Sequence, residues 1–147
     1  MQLKKIPRKP LGEILIEEGF LEPESLEKAL KTQKQEGGLL GEILIRIGAI
    51  SEEELLVGLS RQLPFPFVRL NNYRVNRNTL RWVPKEVARR YLCFPFEEDD
   101  GEISVAMTDP VDPEALEEVK RRIPKVVHVF LAKPSEIKEA IGAYYRE

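Results

Sequence analysis

The first half of the chain carries one pattern of apolar and polar positions twice. Residues 10–33 read PLGEILIEEGFLEPESLEKALKTQ, and residues 39–62 read LLGEILIRIGAISEEELLVGLSRQ. The copies align without a gap at an offset of 29 residues, so that Leu11 matches Leu40 and Leu26 matches Leu55. A repeat of this kind indicates one structural unit that is used twice.

Each copy has the pattern of a helical hairpin. Apolar residues three and four positions apart follow Pro10 and give a first helix one apolar face. Gly19 then stands where a left-handed C-cap is needed. In the second copy, Ser51 and Glu54 have the spacing of a capping box at the start of the second helix. We therefore expect residues 1–63 to form a four-helix unit of two hairpins, related by an approximate two-fold rotation or by a stacking translation.

Residues 64–147 combine short β-branched and aromatic runs with helical segments. Strands are predicted over residues 65–70, 92–96, 103–107 and 126–131. Helices are predicted over residues 78–91 with a break at Pro84, over residues 114–122 behind an Asp112 cap, and from Pro134 onward. The predicted fold class is therefore α+β, with the four-helix unit followed by a small mixed α/β subdomain.

The composition is that of a globular protein. Apolar residues make up 42% of the 147 residues and charged residues 33%. No apolar run approaches the roughly 20 residues that a membrane-spanning helix needs. Residues 1–10 are basic but lack the apolar core of a signal peptide. These features predict a cytoplasmic protein without a transmembrane segment.

The net charge of −2 conceals two blocks of opposite sign. Residues 69–91 carry seven basic residues and one acid, whereas residues 97–118 carry ten acids and no base. Such blocks can steer a partner protein; alternatively, they face each other or solvate the surface. No aromatic-interleaved motif accompanies the basic block, so nucleic acid is not an expected partner. The candidate partner-binding residues are Arg74, Arg77, Arg81, Arg89 and Arg90.

The sequence offers little for catalysis. The phosphate-binding pattern G-x-x-x-x-G-K-[ST] is absent, so the chain alone is not expected to hydrolyse ATP. One histidine and one cysteine argue against a structural zinc site. His128 lies between valines with no identifiable nucleophile, and Cys93 is interpreted as a small buried hydrophobe. We predict a non-catalytic protein that requires neither a metal nor a cofactor.

These motifs resemble the N-terminal domain of the ATPases that drive type II secretion and type IV pilus assembly. The two Leu-Gly repeats that end at Gln33 and Gln62 are similar to the paired motifs of that domain. Residues 103–112, ISVAMTDPVD, are similar to the strand-to-helix signature of its second subdomain. The resemblance implies a docking or regulatory domain that binds an inner-membrane platform protein on its cytoplasmic side. It also implies a peripheral position at the membrane and a hexameric ATPase as a further partner.

An alternative function follows from the same resemblance, because one branch of the family binds cyclic di-GMP through the paired motifs. Ligand-binding members begin each motif with arginine, whereas this chain has Pro10 and Leu39. Lys9 is one position away, and Gly38 has no side chain to offer. Since cyclic di-GMP is a dianion and arginine supplies both charge and a planar fork, we predict weak or no binding. The candidate ligand surface comprises Leu11, Gly12, Leu15, Gly19, Gln33, Leu40, Gly41, Leu44, Gly48 and Gln62.

Overall fold

The structure is a computed structural model that describes residues 9–145. Four helices come first, and three strands follow with three more helices around them. The elements are α1 (Leu11–Glu17), α2 (Pro23–Glu36), α3 (Leu40–Arg46), α4 (Glu52–Gln62), α5 (Lys85–Tyr91), β1 (Cys93–Glu98), β2 (Glu102–Met107), α6 (Pro113–Arg122), β3 (Val126–Leu131) and α7 (Pro134–Tyr144). The α+β fold class is confirmed. No helix within residues 9–145 has the length and apolar character that crossing a bilayer requires.

Helices α1 and α3 end in the same way, as the repeat predicts. Gly19 has a φ of 82° and Gly48 a φ of 78°, in the left-handed region that favours glycine. The N–H of Gly19 donates to the carbonyl of Ile16, and that of Phe20 to Leu15, both at 3.0 Å. These are the two bonds of a Schellman C-cap, and the equivalent pair closes α3. Local hydrogen bonds therefore turn the chain in both hairpins.

The helices of one hairpin pack against the helices of the other hairpin. Helix α1 packs against α4, α2 packs against α3, and α1 also meets α3. A two-fold rotation that exchanges the copies maps the first of these pairs onto the second, whereas a stacking translation does not. The contacts therefore favour the rotation over the translation. The shared helical core is built mainly from leucine and isoleucine, including Leu11, Ile14, Leu15, Ile43, Leu44, Leu55 and Leu59.

The sheet has the strand order β1-β2-β3. Strands β1 and β2 form the antiparallel hairpin that the Asp100-Gly101 turn predicts, and β3 runs parallel to β2. Strand β1 begins at Cys93, one residue later than predicted, because Leu92 takes a left-handed conformation with a φ of 46° at the end of α5. The predicted break at Pro84 separates a 3₁₀ helix, Arg77–Trp82, from α5.

The strand predicted over residues 65–70 is reduced to a single parallel bridge between Phe67 and Leu131. The N–H of Val68 donates to the carbonyl of Leu131 at 2.9 Å, and the N–H of Leu131 donates to that of Pro66 at 2.7 Å. A 3₁₀ helix follows at once. Because Pro66 has no N–H, this segment cannot extend a regular ladder, and the prediction of a full strand was wrong.

The four-helix unit and the sheet subdomain share residues across their junction. Leu131 of β3 is fully buried in the helical core, and Leu39, just before α3, is buried in the sheet core. Glu52 of α4 also accepts a 2.6 Å hydrogen bond from the N–H of Ser135 in α7. The boundary predicted between residues 63 and 64 therefore stays a prediction, since the two parts pack on each other.

Candidate functional site

A cleft of about 640 Å³ lies between the four-helix unit and the sheet subdomain. We call it the inter-subdomain cleft. One wall is formed by Lys9, Pro10, Leu11, Gln33 and Leu40, and the other by residues 109–113 and Leu116. The first wall contains the start of the first repeat, where the sequence places its candidate ligand surface. The second wall consists of the loop from β2 to α6 and the first turn of α6.

The loop from β2 to α6 owes its shape to its prolines and to a helix cap. Pro113 occupies the first turn of α6, where its missing N–H leaves no bond unmade. The side chain of Asp112 accepts hydrogen bonds from the N–H groups of Glu114 and Ala115, both at 3.0 Å. This N-cap fixes the start of α6 and holds residues 109–112 against the cleft.

Asp109 is the unusual residue of this loop. The residue is 2% exposed, and its Oδ1 has no hydrogen-bond partner among the described residues. Burial raises the pKa of its carboxyl to about 7, and the negative charge of Asp112 adds to the rise. Hydrogen bonds from the backbone of Asp112 and Val111 oppose it only in part. A buried carboxyl without a full set of partners, lining a cleft, is typical of a binding site.

The remaining polar groups of the cleft are already engaged. Lys9 Nζ lies 2.6 Å from Glu17 Oε1, so its charge is compensated. Gln33 Nε2 donates to the carbonyl of Gly38 at 2.9 Å. The cleft therefore combines apolar lining residues with the two acids Asp109 and Asp112, which we call its acidic floor, and it has no uncompensated positive charge among its lining residues.

The structure divides the ten candidate ligand-surface residues among several environments. Leu11, Gln33 and Leu40 line the inter-subdomain cleft. Leu15 and Leu44 are fully buried in the helical core. The remaining candidates, Gly12, Gly19, Gly41, Gly48 and Gln62, lie outside the lining of this cleft.

The two Leu-Gly pairs have a packing role. A Cβ on Gly12 would stand 2.5 Å from Cδ1 of Leu26, and a Cβ on Gly41 would stand 3.3 Å from Cδ2 of Leu55. Leu26 and Leu55 are themselves equivalent in the repeat, so each glycine makes room for the same leucine of its own hairpin. The glycines at the helix ends, by contrast, are exposed caps.

The motif glutamines are not equivalent in the fold. Gln33 reaches the cleft, whereas Gln62 donates to Glu18 Oε2 at 2.9 Å. Arg61 lies 3.1 Å from Oε1 of the same Glu18. Together these bonds lower the pKa of the Glu18 carboxyl, with the Gln62 bond as the main cause. Gln62 therefore ties the end of α4 to the end of α1.

The two positions that replace the motif arginines also differ. Pro10 is exposed at the rim of the cleft, with open space toward solvent. Leu39 is 5% exposed and packs in the core of the sheet subdomain. An arginine at the first position would stand at an exposed site, while at the second position it would replace a buried apolar side chain.

The basic and acidic blocks pair in part with each other. Arg81 lies 2.7 Å from Glu98, which also receives hydrogen bonds from Lys125 at 2.9 Å and from the Trp82 indole at 3.0 Å. Burial would raise the pKa of Glu98, but these bonds outweigh it and bring the pKa down to about 2. Arg90 is 3.8 Å from Glu114 across the same boundary.

The five candidate partner-binding arginines therefore differ in whether their guanidinium groups already make ion pairs or hydrogen bonds. Besides Arg81 and Arg90, Arg77 is engaged, since it donates to the carbonyl of Tyr144 at 2.7 Å. Arg74 and Arg89 are exposed and make no ion pair or hydrogen bond within residues 9–145. Only these two present an uncommitted charge.

Within residues 9–145, His128 and Cys93 are the side chains that the sequence analysis considered for catalysis. His128 is exposed and lies 2.8 Å from Glu102. Burial raises the pKa of the Cys93 thiol to about 12, so it is not a thiolate at neutral pH. Over residues 9–145, no three histidine, cysteine or acidic side chains cluster as metal ligands.

Sequence reasoning missed Asp109 as a site residue. The signal was present, because Asp109 lies two positions after the end of the apolar strand β2 and directly before a proline. Asp109 becomes part of a candidate site only because the fold brings Leu11 and Leu40 to the same cleft. These two residues lie about seventy to a hundred positions earlier in the chain. Nothing in the spacing of the sequence indicates that contact.

Comparison with known proteins identifies the family. Residues 62–147, more than half of the chain, match the MshEN domain. The type IV pilus assembly ATPase PilB of Myxococcus xanthus (strain DK1622) is 34% identical over 137 residues, which cover 93% of this chain and 24% of that protein. The chain thus spans about a quarter of the length of this relative.

Solved structures agree with this match. The structure of MshE with cdg has a TM-score of 0.68 and 32% identity, and the alignment covers 93% of this chain and 99% of that chain. The N-terminal domain of XpsE has a TM-score of 0.74 and 22% identity, and the alignment covers 92% of this chain and 94% of that chain. This similarity shows a shared fold. The resemblance inferred from the repeats is confirmed, and the chain belongs to the MshEN domain family.

Proposed function

We propose that this chain is the non-catalytic docking and regulatory domain of a type II secretion or type IV pilus ATPase. In this role it binds the cytoplasmic part of an inner-membrane platform protein and places the ATPase at the membrane. The observation that carries the proposal is its 34% identity to a stretch of a pilus assembly ATPase, combined with a sequence that lacks a phosphate-binding loop.

The uncommitted charges of the basic block are the first candidates for the contact with the platform protein. Arg81 is unsuitable as a probe of docking, because it bonds Glu98 and lies 4.4 Å from the Trp82 ring. Reversing its charge would disturb the fold as well as the surface. Arg74 and Arg89 are exposed and without such bonds, so their replacement tests the surface alone.

The double replacement Arg74→Glu with Arg89→Glu is expected to slow association with the cytoplasmic domain of a platform protein. At low salt the association rate should fall about tenfold and lose part of its salt dependence, since opposite charges accelerate encounter. Stopped-flow or surface plasmon resonance across a salt series measures this. The matched control is Lys28→Glu with Lys31→Glu, an equal charge change on the exposed face of α2.

Two results would count against this assignment. Equal slowing by the control pair would mean that net charge alone governs the encounter. No binding of any platform protein, under conditions where a related ATPase domain binds, would remove the docking function itself. Circular dichroism of each variant separates both results from unfolding.

Cyclic di-GMP binding is the second candidate function. It is favoured by the 32% identity to MshE, whose structure was solved with cdg, and by the inter-subdomain cleft at the start of the first repeat. Against tight binding stand the missing arginines and the acidic floor. Each lost charge-assisted hydrogen bond costs about 1.5–3 kcal/mol, which is tenfold or more in affinity.

Calorimetric titration with cyclic di-GMP is therefore expected to give weak or no binding to the unmodified chain. Pro10→Arg should strengthen binding by about tenfold, because the new guanidinium stands at the exposed rim of the cleft. Pro10→Ala is the control for loss of the proline ring. A sub-micromolar dissociation constant for the unmodified chain would show that the arginines are not needed.

A further inference from the structure

We propose that the inter-subdomain cleft binds a cationic side chain, lysine or arginine, carried by a segment of a partner protein. The carboxyl of Asp109 at the cleft floor is its counter-charge. This contact is separate from the docking surface at Arg74 and Arg89, and it does not depend on the identity of the platform protein.

The lining of the cleft carries more negative than positive charge. Its lining residues include two acids, Asp109 and Asp112, and one base, Lys9. Lys9 is held by Glu17 at 2.6 Å, so its charge does not reach the acids. Burial is the main cause of the raised pKa of the Asp109 carboxyl, and repulsion from the Asp112 carboxyl adds to it. A cation placed between them relieves this repulsion, whereas a phosphate dianion adds to it.

One carboxyl oxygen of Asp109 lacks a hydrogen-bond donor among the described residues. Oδ1 accepts no hydrogen bond within residues 9–145 and is shielded from solvent. The residue nevertheless belongs to the lining of the cleft. An ammonium or guanidinium group supplies the missing donor, and charge-assisted bonds of this kind are the strong ones.

The walls of the cleft select an organic cation over a metal ion. Leu11, Leu40, Val111 and Leu116 provide apolar surface, along which the methylene groups of lysine or arginine pack while the charged end reaches the floor. The described residues hold no group of three or more metal-binding side chains. The volume of about 640 Å³ exceeds one side chain, which fits a peptide segment rather than a free ion.

The test is an NMR titration of the ¹⁵N-labelled chain with N-acetyl-L-argininamide, and with N-acetyl-L-citrullinamide as its neutral isostere. The arginine probe is expected to shift the amides of Val111 and Leu116, with the citrulline probe binding about tenfold more weakly. Asp109→Asn should remove that preference. Glu117→Gln, an equal charge change on an exposed position of α6 outside the cleft, should retain it.

Several outcomes would overturn the proposal. These are equal affinity for both probes, an undiminished preference in Asp109→Asn, no shift at the highest soluble concentration of the arginine probe, and a response to calcium in its place. Tight binding of cyclic di-GMP with no response to the arginine probe would also overturn it, since the cleft would then favour a dianion. Because the probes are small molecules, this result is independent of whether a platform protein binds.

Discussion

Replacing Leu39 with arginine is expected to lower the free energy of unfolding by about 3 kcal/mol or more. Leu39 is 5% exposed and packs in the core of the sheet subdomain. The substitution removes buried apolar contact, and it places a guanidinium that cannot deprotonate in an apolar core. Urea denaturation of the variant, followed by circular dichroism, measures the change.

Two matched variants isolate the cause. Leu39→Met conserves volume and apolar character and should cost less than about 1.5 kcal/mol. Pro10→Arg introduces the same charge at the equivalent position of the first repeat, but at an exposed site, and should change stability by about 0.5 kcal/mol at most. If Leu39→Arg were as stable as the unmodified chain, the junction would have to open and leave this position exposed.

The burial of Leu39 also affects how cyclic di-GMP binding can be tested. In this chain the second motif start serves packing between the four-helix unit and the sheet subdomain. Restoring arginine at both motif starts is therefore not a neutral repair of a ligand site, and Pro10→Arg alone is the informative variant. The two halves of the repeat have the same local structure and different surroundings.

The effect of Asp109→Asn on the free energy of unfolding is expected to be more favourable at pH 8 than at pH 5. The pKa of Asp109 is raised from 3.8 to about 7, so the folded state holds a proton that the unfolded state has released between these values. The stability contributed by this group is therefore largest at low pH and is lost as the pH rises toward 7. Integrated from pH 5 to pH 8, the loss is about 2–3 kcal/mol.

Asparagine does not titrate, so the variant should lack this decline. Its advantage over the unmodified chain should grow by about 2–3 kcal/mol between pH 5 and pH 8 in paired urea denaturations. Glu98 acts in the opposite direction, but its pKa of about 2 confines that effect to acid pH. Glu117→Gln is the control for removal of one negative charge. Parallel pH profiles for Asp109→Asn and the unmodified chain would mean that Asp109 is ionised throughout.

The sequence by itself determined the local structure. The offset of 29 residues gave the repeated hairpins, and the glycines at 19 and 48 marked both helix ends. The capping box of Ser51 and Glu54 is present, with bonds of 3.1 and 2.9 Å. These features were predictable because they rest on hydrogen bonds and side-chain periodicity within a few residues. The β1–β2 hairpin and the Asp112 cap are of the same kind.

Only the tertiary structure decided which of these residues meet across the fold. The sequence could not place Leu39 in the sheet core, pair Arg81 with Glu98, or bring Asp109 beside Leu11 and Leu40. It also favoured a full strand over residues 65–70, where the structure has one bridge. Burial, ion pairing and pKa depend on the neighbours that distant segments supply, and no local periodicity encodes them. The candidate site therefore exists only where the repeat and the sheet subdomain pack together.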